Sequence, residues 1–331
     1  MVHKIAVFDA KPYDESTFTR INQEFGFELI FFKEHLDRHN VVLAGGCDAV
    51  CVFVNETVDK HVIDKLCELG IKIIALRCAG FNNVDLAYAR GKIKVVRVPE
   101  YSPHAIAEHT LALMLSLNRK IHRAFIRTRD SNFSLHGFMG FDMFEKTVGV
   151  IGTGKIGKVT AKLLKGLGMN VLAYDVYPDF AFAENNGVRY TTLNEIYEKS
   201  DVITLHCPLT KETEYLICDK SIDKMKKGVM IINTGRGKLI NTRHLIEGLV
   251  SHKIGYAGLD VYEEESAYFY EDYSDNVLSD EVLARLLSFN NVILTSHQAF
   301  FTEEAVSNIA HTTLTNITDF FSGNHLKNEV V

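Results

Sequence analysis

The stretch from Thr147 to Asp175, TVGVIGTGKIGKVTAKLLKGLGMNVLAYD, strings together an apolar run, a glycine-rich turn, an amphipathic segment and a second apolar run. Val148–Ile151 suits a buried parallel strand, and Val171–Tyr174 suits its neighbour. Ile156–Leu167, between them, carries helical periodicity, so the unit reads β-α-β. Gly152, Gly154 and Gly157 give G-x-G-x-x-G at the first joint. Gly152 permits the tight turn, Gly154 lets the backbone approach a pyrophosphate, and Gly157 lets helix and strand pack closely. The helix start, with Lys155 and Ile156 on the turn, offers unpaired N–H groups and a positive dipole end to phosphate. Asp175 lies 18 residues beyond Gly157, at the end of the second strand. A carboxylate there accepts from a ribose 2′-hydroxyl. Val176, Tyr177 and Pro178 follow it, with no cation for a 2′-phosphate. The turn therefore predicts NAD rather than NADP.

The rest of the chain is consistent with that unit. At 331 residues there is room for about two domains and a large core. A hydrophobic content of 47% with 24% charged residues fits an ordinary globular protein. The net charge of −6 argues against nucleic acid or an anionic membrane as a general partner. Arg119, Lys120, Arg123, Arg127 and Arg129 read as the wet face of a helix. The six cysteines form no C-x-x-C pair, as expected of reduced thiols in a cytoplasmic protein. The opening run Ile5–Phe8 is too short for a signal h-region, and Leu111–Leu117 cannot span a bilayer.

Alternation of strand-like and helix-like runs predicts parallel sheets covered by helices in both halves. Strands are expected at Ile5–Phe8, Glu28–Phe32, Ala49–Val54, Ile73–Leu76 and Val95–Val98, with helices at Phe18–Phe25, Val62–Leu69 and Val84–Ala89. Ser102 or Pro103 opens a helix expected to run unbroken to Arg129. Beyond the dinucleotide unit, Val202–Leu205, Val229–Ile232, Tyr256–Asp260 and Val292–Thr295 read as strands, and Thr302–Phe321 as a last helix returning to the first domain. The chain is expected to cross between domains near Tyr101 and near Phe300.

A nicotinamide enzyme acting on an alcohol or ketone needs a proton donor and acceptor, and a cation for any substrate carboxylate. Arg236 follows a strand in IINTGRGKLI, Glu265 lies beyond one in GLDVYEEE, and His297 follows one in ILTSHQAF. Doubly wound sheets place their ligands at that carboxyl edge. Singly, each residue also suits an ordinary surface loop, and nothing in the spacing shows that the three meet. His104 and His109, five apart on a helix, do not share a face, so no metal site is expected.

The strings LRCAGFNNVDL (76–86), VPEYSPHAIAEHTLALML (98–115), GVIGTGKIGK (149–158), LHCPLT (205–210), NTGRG (233–237) and HQAF (297–300) resemble the D-isomer-specific 2-hydroxyacid dehydrogenase family, within it the fermentative D-lactate group. The acidic aromatic loop Ser266–Asp280 is similar to one in that group. The resemblance implies an α/β fold of two doubly wound parallel-sheet domains. A Rossmann-type NAD domain (101–299) would be inserted in a flavodoxin-like substrate domain (1–100 plus 300–331), with a cleft between them. It implies NADH-dependent, reversible reduction of pyruvate to D-lactate. Arg236 would clamp the keto-acid carboxylate, and His297 would act as acid and base with Glu265 supporting its charged form. The N–H groups of Cys78, Ala79 and Gly80 would assist Arg236. Tyr101 and Phe300 would border the substrate, or else pack the two domains. His206, Cys207 and Pro208 would cover the adenine side of NAD, and Asn233, Thr234, Gly235 and Asp260 the nicotinamide end. Relatives form homodimers and homotetramers, and the helix from Ser102 offers a subunit surface. Two alternatives stay open. One is a dehydrogenase for a bulkier acid such as phenyllactate or 2-hydroxyisocaproate. The other is a non-enzymatic NAD-sensing protein like the corepressors that share this fold.

Overall fold

The computed structural model describes residues 2–331, and the chain divides into two compact units. One comprises the residues up to Ser102 together with Phe300–Val331; the other is Pro103–Ala299.

The first unit holds strands β1 (Lys4–Val7), β2 (Glu28–Phe31), β3 (Ala49–Val52), β4 (Ile73–Leu76) and β5 (Lys94–Val96), all parallel, in the order β2-β1-β3-β4-β5. This is a flavodoxin-like order. Helices α1 (Pro12–Ile21), α2 (Lys60–Glu68) and α3 (Leu86–Ala89) connect them. α1 starts six residues before the expected Phe18, because Pro12 stands at its first position and Asp14 reaches back to the Lys11 N–H. The C-terminal helix Glu303–Phe321 starts where Thr302 caps it, its hydroxyl accepting from the Ala305 N–H. It buries Ala310, Leu314 and Ile317 against Ile5, Val7 and Ile73 of this sheet.

The second unit begins with α4 (Pro103–Arg119) and α5 (Ile121–Arg129). The unbroken helix expected over this span is interrupted at Lys120, whose φ of +52° is left-handed. Contacts to the following loop explain the break. Lys120 Nζ donates to the carbonyls of Gly137 and Met139, and Asn118 exchanges two hydrogen bonds with Phe141. β6 (Thr147–Ile151), α6 (Lys155–Gly166), β7 (Asn170–Tyr174), α7 (Phe180–Asn186), β8 (Arg189–Tyr190), α8 (Leu193–Lys199) and β9 (Val202–Leu205) follow. Then come α9 (Asp219–Lys224), β10 (Val229–Asn233), α10 (Thr242–Val250), β11 (Ile254–Leu259), α11 (Glu281–Leu287) and β12 (Val292–Leu294).

The seven strands are parallel in the order β12-β11-β10-β9-β6-β7-β8, a Rossmann arrangement extended by one strand. One sheet face packs on α4 and α6 through Leu113, Met114, Leu117, Ala161 and Leu164. The other packs on α8, α10 and α11 through Ile196, Leu245, Leu249, Leu283 and Leu286. Burial on both faces accounts for the near-continuous apolar strands. All six cysteines are free, and no helix among the described residues is long and apolar enough to cross a membrane.

Candidate active site

Because every strand of the second unit runs the same way, all its strand-end loops emerge at one edge. Along that edge stand His297 after β12, Asp260 after β11, Arg236 after β10, His206 after β9, the glycine turn after β6 and Asp175 after β7. The order reverses at β6, and such a switch point opens a crevice.

Local packing requires glycine at two of the three positions of the turn. Gly152 has φ +93°, and a Cβ there would stand 2.5 Å from both the His206 carbonyl carbon and the Cys207 nitrogen. A Cβ on Gly157 would lie 2.0 Å from the Gly152 carbonyl oxygen. At Gly154 a Cβ would meet nothing within 4 Å, and this N-cap carries no side-chain hydrogen bond. Open space in front of uncapped helix N–H groups is what a pyrophosphate needs.

Asp175 is tied to this turn. Its carboxylate accepts from the Thr153 N–H at 2.6 Å, the Thr153 hydroxyl at 3.1 Å and the Tyr177 N–H at 2.9 Å. Partial burial pushes its carboxyl up, but these donors more than offset that and hold it below the usual carboxylate range. His206 Nε2 lies 3.0 Å from the Thr204 hydroxyl, and burial pushes this imidazole down to about 4. The neighbouring Cys207 thiol is pushed up to about 11 by burial, so it stays protonated at neutral pH.

His297 Nδ1 lies 2.9 Å from Glu265 Oε1, with both side chains about three-quarters covered (23% and 25% exposed). The other Glu265 oxygen accepts from the Tyr262 N–H at 3.0 Å. Nε2 of His297 has no partner among the described residues, which leaves it available to a substrate. The His297 backbone is left-handed, with φ +51°, a conformation of about 1–2 kcal/mol strain for a non-glycine residue.

Asp260 stabilises this turn. It is fully buried and accepts from the Thr295 hydroxyl at 2.6 Å and from the N–H groups of Gln298 and Ala299 at 2.9 and 2.8 Å. Its own carbonyl receives the His297 N–H at 2.7 Å. Tyr270, from the acidic aromatic loop, adds a hydroxyl to the His297 carbonyl at 3.1 Å. His109, from α4, completes the group, with Nε2 at 3.1 Å from the Thr295 hydroxyl and 3.4 Å from Asp260. Sequence reasoning assigned Asp260 to the cofactor and missed both its hold on the 295–299 turn and the part of Tyr270. A carboxylate at one strand end that binds a turn 35 to 39 residues further along the chain leaves no local pattern.

Arg236 is exposed, and the one described hydrogen bond of its guanidinium runs from Nη1 to the Gly235 carbonyl at 2.8 Å. The turn beneath it is rigid. Asn233 accepts from the Gly235 N–H and donates to the Arg236 carbonyl, and a Cβ on Gly237 would lie 2.1 Å from the Tyr262 carbonyl oxygen. The Arg236 turn is thereby pressed against the segment that leads to Glu265. Glu265 and His297 are in contact; Arg236 shares their edge of the sheet without a described contact to either.

Five of the candidates, Cys78, Ala79, Gly80, Tyr101 and Phe300, lie in the first unit. Cys78 Sγ lies 3.3 Å from the Gly80 carbonyl, and Arg97 donates to the Ala79 carbonyl at 2.7 Å. Tyr101 and Phe300 meet edge to face at 5.9 Å, and Phe300 is 6.3 Å from Phe53, so both sit in an aromatic group of this unit.

Residues 111–299 match the family model described as D-isomer specific 2-hydroxyacid dehydrogenase, NAD binding domain. The chain is 52% identical over 329 residues to a 2-hydroxyacid dehydrogenase homolog of Haemophilus influenzae, covering 99% of each. It is 50% identical to the D-lactate dehydrogenase of Escherichia coli, covering 99% of this chain and 100% of that one. The apo structure of the Escherichia coli enzyme superposes with a TM-score of 0.92 at 49% identity, over 99% of this chain and 100% of that chain.

Proposed function

The chain belongs to the D-isomer-specific 2-hydroxyacid dehydrogenase family, an NAD-dependent oxidoreductase by that membership, and we propose that it reduces pyruvate reversibly to D-lactate. The observation that carries this reading is the Glu265–His297 pair at 2.9 Å, on the same edge as Arg236; among the described residues His297 Nε2 is unengaged and the guanidinium has no carboxylate partner. Full-length identity of 50% to the Escherichia coli D-lactate dehydrogenase supports pyruvate as the substrate.

In this reading Arg236 pairs its planar fork with the substrate carboxylate, which lysine cannot imitate. The N–H groups of Cys78–Gly80 assist it, and Tyr101 and Phe300 border the methyl end. Nicotinamide, when bound, supplies the hydride that reduces the keto carbon. His297, protonated, gives the Nε2 proton to the keto oxygen, and neutral His297 takes a proton from the hydroxyl in reverse. Glu265 holds Nδ1–H, fixing the ring and favouring the imidazolium. Gly152, Gly154, Lys155, Ile156 and Gly157 face the pyrophosphate, and Asp175 the ribose. His206, Cys207 and Pro208 cover the adenine side. Asn233, Thr234, Gly235 and Asp260 frame the nicotinamide end. The unit Pro103–Ala299 is thus the NAD domain, and the discontinuous unit the substrate domain.

The protein is further read as cytoplasmic and as a homodimer or homotetramer. Support for self-association comes from the apolar residues left open beyond α4, among them Phe125 at 60%, Leu135 at 85% and Met139 at 89% exposure. Light scattering on the purified protein tests that assembly; a monomer at micromolar concentration refutes it.

The decisive test is NADH oxidation with pyruvate followed by chiral analysis of the product. Rapid formation of D-lactate, faster than with phenylpyruvate, 2-ketoisocaproate or NADPH, is the expected result. Faster turnover of a bulkier keto acid would move the substrate while leaving the chemistry in place. NADH binding with no turnover of any keto acid would overturn the reading.

A further inference from the structure

The unit Pro103–Ala299 has a second concavity, a pocket of about 690 Å³. It lies at the amino ends of β10, β11 and β12, whose other ends lead to Arg236, Glu265 and His297. Lys227 and Gly228 directly precede β10, Gly255 and Tyr256 belong to the start of β11, and Asn290 and Asn291 directly precede β12. A five-residue strand spans roughly 16 Å, so this hollow is separate from the candidate active site.

Its walls are one-signed. Lys120, Arg123, Lys227 and Arg285 line it together with His252, and no Asp or Glu does. In a chain of net charge −6, four permanent cations around one hollow run against the average composition. None of the four has an ion pair among the described residues. Two are held in place by other means: Lys120 Nζ by the carbonyls of Gly137 and Met139, and Arg285 by the Phe289 ring, 5.0 Å beneath its guanidinium. Part of the lining is bare backbone. A Cβ at Gly228 would meet nothing within 4 Å, while one at Gly255 would stand 2.5 Å from the Gly228 carbonyl oxygen.

A structural account of these cations is available, and its magnitude is too small. α4, α10 and α11 all finish beside the pocket, and basic side chains offset the negative ends of helices. Three such ends amount to roughly −1.5 charges, which leaves a surplus of roughly +2.5 from the four permanent cations. The sequence read Lys120 and Arg123 as a solvated helix face. The break at Lys120 instead turns both toward this hollow.

We propose that the pocket is a binding site for a small multivalent anion, a di- or tricarboxylate or a compound bearing two or more phosphate charges. The volume lies within the range of small-molecule sites, about 300–1,000 Å³. A concave, one-signed hollow concentrates such an anion far more than a monovalent one.

Titration calorimetry on the intact enzyme in its native oligomeric state, saturated with NADH and at fixed ionic strength, tests this. Citrate, pyrophosphate and, as monovalent control, acetate are the probes. Saturable binding of citrate or pyrophosphate at least about tenfold tighter than acetate is expected, and the tighter of the two identifies the carboxylate or the phosphate class. The K227E/R285E double variant should weaken that binding about tenfold or more, with NADH affinity and pyruvate turnover in anion-free buffer unchanged. R123Q/K227Q serves if charge reversal impairs folding. No saturable binding of either probe, or binding that both double variants leave untouched, overturns the proposal. Because basal turnover is read in the same samples, that outcome is distinct from a failure of the lactate reading.

Discussion

Arg77 and Arg236 occupy equivalent places, each at the carboxyl end of a parallel strand, yet their surroundings are opposite. Arg77, after β4, is 1% exposed and enclosed by its own chain. It donates to the carbonyls of Phe8 and Asp9 at 2.9 and 2.7 Å, approaches Asp14 at 3.4 Å and Glu56 at 3.9 Å, and lies 5.0 Å over the Phe53 ring. Burial pushes the carboxyls of Asp14 and Glu56 upward, and the Arg77 guanidinium opposes that shift. Arg236, after β10, is exposed, and among the described residues its guanidinium bonds only to the preceding carbonyl. A charge enclosed by its own chain holds that chain together. A charge left unpaired on a rigid turn is free for a ligand.

Substitutions can break or sharpen this contrast. The largest effect is expected on the sheet edge that carries Arg236: His297→Ala should lower pyruvate turnover by about 10³-fold with NADH binding intact. Unchanged turnover, measured by steady-state kinetics, would remove His297 from the chemistry. Arg236→Lys comes next, with kcat/KM for pyruvate down about 10²-fold and the melting temperature essentially unmoved. Its counterpart Arg77→Met should act the other way, lowering the unfolding free energy by about 3–5 kcal/mol because two carboxylates lose their buried partner. Urea titration and kinetics on both variants decide the matter; if Arg236→Lys destabilised and Arg77→Met did not, the two roles would be reversed.

A smaller effect is expected from Glu265→Gln. The amide cannot supply the charge that orients Nδ1–H, so kcat for pyruvate reduction should fall by about tenfold with NADH binding unmoved. An unchanged kcat would dissolve the pair. The smallest effect concerns His206, whose imidazole is held down at about 4 by burial. Between the ordinary histidine value near 6.5 and about 4, the unfolded chain binds a proton that the folded chain does not. Stability should therefore fall as the pH drops through that window. His206→Gln should reduce the slope by up to about 1.4 kcal/mol per pH unit. Equal slopes in acid melting curves would show that His206 titrates normally.

Much of the molecule was legible in the sequence because its signals are local. Val202–Leu205 is a strand with the expected bounds, and most others differ by one or two residues, since apolar runs flanked by turn residues carry their own limits. The glycine turn was legible because backbone geometry demands glycine at two of its positions, Gly152 and Gly157. Non-local features were not. The break at Lys120 depends on carbonyls 17 and 19 residues further on, and the two-residue strand β8 exists only as an edge pairing to β7. Glu265 and His297 were proposed by resemblance, but Asp260's grip on the 295–299 turn and the Tyr270 contact became visible only when 27 or more residues of chain were folded back.

The left-handed backbone of His297 has a consequence for adaptation. Conformational preference and the proposed chemistry ask for different residues at this position: glycine would relieve roughly 1–2 kcal/mol of backbone strain, whereas the proposed proton transfer requires an imidazole. A library screened for heat tolerance alone would drift there toward glycine or asparagine, and its winners would be robust and inert. Screened for turnover, the same library would keep the histidine and collect its stabilising changes elsewhere, first among the loops that already hold the turn.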